Sequence, residues 1–96
     1  MLKQEAARLL ANVPEEYVFR CADGRVFQNM NDLEQAFATM TDETFSYHVN
    51  KDKNDFANWV KDIIKDDKLA KDLAKSLART QAVKTVTRRL AFLNSV

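Results

Sequence analysis

A chain of 96 residues is the length of one domain, and at that size a single modest core forms without metals or disulfides. With 46% apolar and 30% charged residues but only one Gly and one Pro, long disordered loops and turn-rich β architecture are excluded, and helices with short connections are expected. Cys21 is the sole cysteine, which excludes an intrachain disulfide, a multi-cysteine zinc site and a dithiol redox pair.

Charges interrupt the apolar residues from Met1 to Arg8, no apolar run is long enough to span a bilayer, and a cytoplasmic, membrane-free location is expected. The net charge of +1 hides an asymmetry. Residues 1–48 carry four basic against eight acidic side chains, whereas residues 49–96 carry eleven basic against six acidic. After Asp72 there is no acid, only Lys75, Arg79, Lys84, Arg88 and Arg89.

In chain order, Leu2 to Leu10 reads as a first helix, with Leu2, Ala6, Leu9 and Leu10 near one face and Pro14 soon after. The only β signal follows, in Tyr17–Cys21 and Arg25–Gln28 around Ala22-Asp23-Gly24. A two-residue Asp-Gly turn would set Arg20 against Phe27. A three-residue loop with Gly24 in the left-handed region sets Phe19 against Phe27, and this register is preferred because it matches apolar with apolar. Asn29 or Asn31 caps the next helix, whose stripe is Met30, Leu33, Phe37 and Met40. Thr41 caps a short helix with Phe45, His48 and Val49 on one side.

Asn50 to Asn54 is a polar connection, and Asp52 is expected to cap a helix in which Phe56, Trp59, Val60, Ile63 and Ile64 complete an amphipathic template. Asp66 and Asp67 open a further helix with Leu69, Leu73 and Leu77 at four-residue spacing. Val83, Val86, Leu90 and Leu93 form the last stripe. Either Thr80 caps a separate final helix or one long helix runs through it; the pattern leaves both open.

The run FRCADGRVFQNMNDLEQAFATMTDETFSYHVNKDKNDFANWVKDII, followed by KLAKDL, resembles a family of small archaeal and bacterial proteins classed as a domain of unknown function. That family's pattern is an aromatic strand, a DGR turn, a leucine-rich helix, M-S/T-D-E, an aromatic residue, HVN and NDFANW. Its densest part here is Tyr47-His48-Val49-Asn50 with Asn54-Asp55-Phe56-Ala57-Asn58-Trp59. The resemblance covers about half the chain, leaving Met1–Glu16 and Leu77–Val96 outside it. It implies a compact α-rich domain and supplies no catalytic residues.

His48 is the sole histidine and precedes Asn50, Asp52 and Asp55. As a functional group it would be a metal ligand or a carboxylate-assisted general base. As a structural one it packs at the core edge and bonds backbone or Asn50. The structural reading is preferred, since a lone His without a second strong ligand makes a poor transition-metal site. Asn54, Asp55 and Asn58 make either a polar pocket or helix caps, and capping accounts for all but Asn58. Trp59 reads as core before it reads as a stacking surface. Cys21 lies near Arg20 and Arg25, whose charge would lower a thiol pKa, yet a small buried hydrophobe is the preferred role. With no phosphate loop, nucleophile elbow or zinc signature, neither catalysis nor a cofactor is expected.

The basic tail attracts phosphate in principle. On a continuous helix at about 100° per residue, however, Lys75 and Arg79 lie nearly opposite Lys84 and Arg88. The expectation is therefore one domain over residues 1–96, mainly α, with about five or six helices and one short N-terminal β-hairpin. Its expected function is that of a non-catalytic interaction module binding a protein partner or itself through the C-terminal amphipathic helix, with Leu90 on the apolar face. The alternative is nucleic-acid or ribosome association through Lys75, Arg79, Lys84, Arg88 and Arg89. A small-molecule or metal site at His48 with Asp52 and Asp55, or a polar site with Asn58, ranks third.

Overall fold

The computed structural model describes residues 1–96. Helix α1 covers Lys3–Leu10, and a 3-10 turn at Glu15–Tyr17 leads into strands β1 (Phe19–Arg20) and β2 (Val26–Phe27). Then come α2 (Met30–Thr39), α3 (Asp42–His48), α4 (Asp55–Trp59) with a π-helical continuation at Val60–Ile64, α5 (Asp67–Ala74) and α6 (Arg79–Ser95). The chain is thus mainly α with one N-terminal antiparallel hairpin, as the composition required. No helix is long and apolar enough to cross a membrane. The Cα radius of gyration, 12.4 Å, is close to the ~12.5 Å expected of a compact chain this long.

Local chemistry explains the element boundaries. In the hairpin Phe19 pairs with Phe27 and Arg20 with Val26, the register that matches the two aromatics. Gly24 adopts φ +93°, a conformation open to Gly at no side-chain cost. Asn29, Thr41, Asn54 and Asp66 each accept an amide from the first turn of the helix they precede, satisfying donors that a helix start leaves orphaned. Asn54 also donates its amide to Leu73 O at the end of α5 (3.1 Å), so one side chain closes two helix ends.

The core has two centres. The α2 stripe of Met30, Leu33, Phe37 and Met40 is fully buried and joins Ala82, Val86, Leu90 and Leu93 of α6 in one cluster. Phe56 is the second centre: its ring lies 4.9 Å from Phe37, 5.0 Å from Phe19, 5.0 Å from His48 and 5.9 Å from Phe45. Stacked and edge-on pairs at such separations each stabilise by roughly 0.5–1.5 kcal/mol beyond area burial. Phe19 stacks on Phe27 at 5.3 Å, so the aromatic cluster holds a hairpin too short to be stable alone.

Four local expectations are corrected. Asp52 does not cap α4. Its amide and that of Lys53 both bond Asn50 Oδ1 (2.8 and 3.1 Å) in a polar turn, and Asn54 is the cap. The apolar template from Phe56 to Ile64 is not one α-helix, because Lys65 N bonds Val60 O five residues back and Lys65 turns left-handed at φ 68°. Ile64 stays buried through that wider turn while Ile63 is only half-buried. Leu77 is not a third leucine of α5: the helix ends at Ala74 and Leu77 is 71% exposed. Finally, the tail is two helices, yet Thr80 is not the cap between them. Helix α6 starts at Arg79, where the Gln81 side chain takes the Ala78 amide at 3.3 Å. The break arises at Ser76, whose hydroxyl bonds Asp72 O (3.0 Å) and Thr85 Oγ1 (2.9 Å). A serine bonded to the turn behind it competes with helix continuation.

Candidate functional site

His48 ends α3 with its ring buried and both nitrogens engaged. Nε2 accepts the Ala22 amide at 3.0 Å, and Nδ1 meets Asp55 Oδ2 at 2.9 Å. Since a backbone N–H donates to Nε2, that nitrogen carries the lone pair and Nδ1–H donates to the carboxylate. Lys53 Nζ adds a third member, 3.0 Å from the same Asp55 oxygen. Desolvation pushes the Asp55 carboxyl up, but the hydrogen bonds from His48 and Lys53 outweigh it and hold it below its ordinary value. The whole device ties the hairpin loop to the α3–α4 connection. No lone pair of His48 is free for a metal or a substrate proton, and no group of three or more His, Cys, Asp or Glu side chains lies where it could hold a metal ion. Asp52 does not join this set.

The other tempting residues near this block are likewise committed. Trp59 is buried and donates Nε1–H to Tyr17 O at 2.8 Å. Asn58 is exposed and lines a groove with Lys61, Asp67 and Lys71, to which neither His48 nor Asp55 contributes. Burial pushes the Cys21 thiol above its ordinary value; the Asp23 carboxylate adds to the rise, while the backbone hydrogen bonds of Asp23 and Ala22 oppose it. Cys21 is buried in the core, the preferred role, and Arg25 pairs with Asp23 at 2.8 Å. That pairing, with the Arg25 hydrogen bond foremost, holds the Asp23 carboxyl down at about 2.

On the basic segment the six residues singled out by sequence divide in half. Arg79 donates Nε–H to Asp42 (2.9 Å) and another N–H to Phe37 O (2.8 Å), fastening the start of α6 to the α2–α3 corner. Arg89 grips Asp66 with two bonds of 2.8 and 3.0 Å. Asp66 is 2% exposed and also caps α5, so a buried carboxylate is satisfied by one guanidinium and one amide. Leu90 is 5% exposed and belongs to the core. The apolar stripe of α6 that sequence offered to a partner is therefore consumed inside the molecule.

Lys75, Lys84 and Arg88 make no ion pair and no side-chain hydrogen bond, and all three are exposed. The break after Ala74 redirects α6 so that they line one groove of about 310 Å³ with Ser76, Gln81 and Thr85. The opposition of Lys75 and Lys84 holds only on one continuous helix, and the break between α5 and α6 removes that condition. Asp72 borders the groove and is paired with Lys68 at 2.8 Å. Three unpaired cations thus share the groove with one carboxylate that Lys68 already pairs. A second groove of about 350 Å³ shares Asp72, Thr85 and Arg88 with the first and adds Lys68, Arg89 and Phe92.

Sequence reasoning missed Lys68, Ser76, Gln81 and Thr85, and placed Phe92 only among the apolar residues of the last helix that pack on the core or pair with a partner helix. One signal existed: Lys84, Arg88 and Phe92 recur at four-residue spacing, a row along one helix face. No protein-family model, no curated protein and no solved structure matches the chain.

Proposed function

We propose that this domain is a non-catalytic binding module whose ligand is nucleic acid, held by its phosphate backbone in the groove between α5 and α6. One observation carries the reading: Lys75, Lys84 and Arg88 line, unpaired, a groove whose other residues are Ser76, Gln81, Thr85 and a single acid, Asp72, already paired with Lys68. Phosphate oxygens take ammonium and guanidinium donors readily, and Ser, Thr and Gln side chains serve as further phosphate contacts. Such contacts position a strand without reading its sequence. A non-catalytic role is supported by the engagement of both His48 nitrogens and the raised thiol of Cys21. Self-association or protein binding through the α6 stripe has lost its surface, since Val86, Leu90 and Leu93 are in the core.

The test is fluorescence anisotropy with labelled oligonucleotides. With three or four phosphates neutralised on a single strand, affinity should fall about 20- to 50-fold between about 50 and 200 mM salt. Lys84→Glu with Arg88→Glu should abolish binding, while Arg89 is left intact because it holds the fold. Absence of binding by the wild type at the lower salt overturns the proposal. So does equal binding to polyglutamate, which would make the ligand an acidic polypeptide.

A further inference from the structure

Resting on that reading, we infer that the ligand is a single strand rather than a duplex, with Phe92 as the platform on which one base stacks. Phe92 is 47% exposed on the last turns of α6 and is the only apolar residue of its groove. Nothing in the fold uses its outer surface. The guanidinium of Arg89 sits 5.3 Å from its ring centre, and Arg89 is itself fixed by the buried carboxylate of Asp66. An aromatic ring is thus held in place by a chain of contacts anchored in the core, beside the cations of Lys68 and Arg88.

Pre-positioned aromatic rings next to basic grooves serve unpaired bases, because every base offers a π-face and stacking tolerates any sequence. A duplex keeps its base faces inside its own stack and would gain nothing from Phe92. The spacing fits a short strand. Lys84, Arg88 and Phe92 fall at i, i+4 and i+8, a row of about 12 Å along the helix axis. The strand's phosphates follow Lys75, Lys84 and Arg88, and the base beyond them turns onto the ring.

The experiment measures anisotropy of the full chain with a labelled single-stranded oligonucleotide and with a duplex of the same length. It compares wild type, Phe92→Ala and Phe92→Leu at low salt, with thermal melts showing all three folded. The expected result is tighter binding of the single strand by wild type and a loss of about 5- to 100-fold in both variants for the single strand only. A fluorescent purine analogue at the terminal base should be quenched by wild type and not by Phe92→Leu. Equal affinity for single strand and duplex, or no change in either variant, overturns the single-strand inference while leaving the phosphate-binding groove standing. Failure of wild type to bind either form overturns both.

Discussion

The polar block around His48 and the basic groove between α5 and α6 are built from similar parts and reach opposite outcomes. At His48 both ring nitrogens are bonded within the molecule: Ala22 takes one, the Asp55 carboxylate, itself paired with Lys53, takes the other, and the ring packs against Phe19 and Phe56. At the groove the boundary runs between adjacent residues. Arg89 is spent on Asp66, whereas Arg88 forms no ion pair and lies in a groove whose one acid, Asp72, is paired with Lys68. A residue's type and its neighbours in sequence do not decide whether it serves the fold or a ligand. What decides it is whether the bonds it can make are already made.

Breaking the Arg89 side of this boundary should have the largest effect. Arg89→Ala leaves the Asp66 carboxylate buried without its partner, which should cost about 3–5 kcal/mol. For a domain this small that lowers Tm by more than ~12 °C, measurable by thermal melts. Asp66→Asn combined with Arg89→Leu should recover much of the loss, since no uncompensated charge remains and the α5 cap is kept. Next comes His48→Ala, which orphans the Ala22 amide and opens a gap beside Phe56. A loss of about 2–3 kcal/mol is expected in urea unfolding, with nucleic-acid affinity per folded molecule unchanged. A wild-type stability in that variant would place His48 among the ligand-directed residues after all.

The helices, the hairpin register and the α2 stripe were legible because they follow from local rules: 3.6-residue periodicity, capping chemistry and aromatic pairing across a short turn. Leu77 misled because four-residue spacing continues on paper after Ser76 has ended α5. Ile63 misled because the π-helical turn depends on a five-residue backbone bond that has no side-chain signature. The groove was illegible for a related reason. Whether Lys75 and Lys84 share a face depends on the direction of α6 after a four-residue break, and the Asp66–Arg89 pair that sets that direction joins positions far apart in sequence.

Acid should separate the two regions more gently. The Asp23 carboxyl is held at about 2, chiefly by the Arg25 hydrogen bond, and Asp55 is held below 3.8 despite its desolvation. Both folded values lie below the unfolded one, so their contribution is fully present above pH ~4 and is lost as pH falls through the folded values. Because both side chains remain partly solvated, the combined effect should be about 1 kcal/mol. Melts between pH ~5 and ~2 should show the decline, and Asp55→Asn should flatten it. A slope unchanged in that variant would remove Asp55 from the account.

The smallest expected effect on stability is also the sharpest test of the comparison. Lys75, Lys84 and Arg88 touch no partner within the molecule, so Lys75→Glu, Lys84→Glu and Arg88→Glu should each change stability by less than about 0.5 kcal/mol. Removing local repulsion among the three cations should keep the sign near zero or slightly favourable. The same substitutions place carboxylates where phosphate is to bind, so affinity should collapse while the melt stays put. Arg89→Ala predicts the reverse pattern among neighbours: a large drop in Tm, with binding by the residual folded fraction reduced only as far as Phe92 loses its support. If all four variants instead shift the melt alike, the division between Arg88 and Arg89 is not real. Separation of the two patterns across one peptide bond would establish that the groove is maintained for something outside the chain.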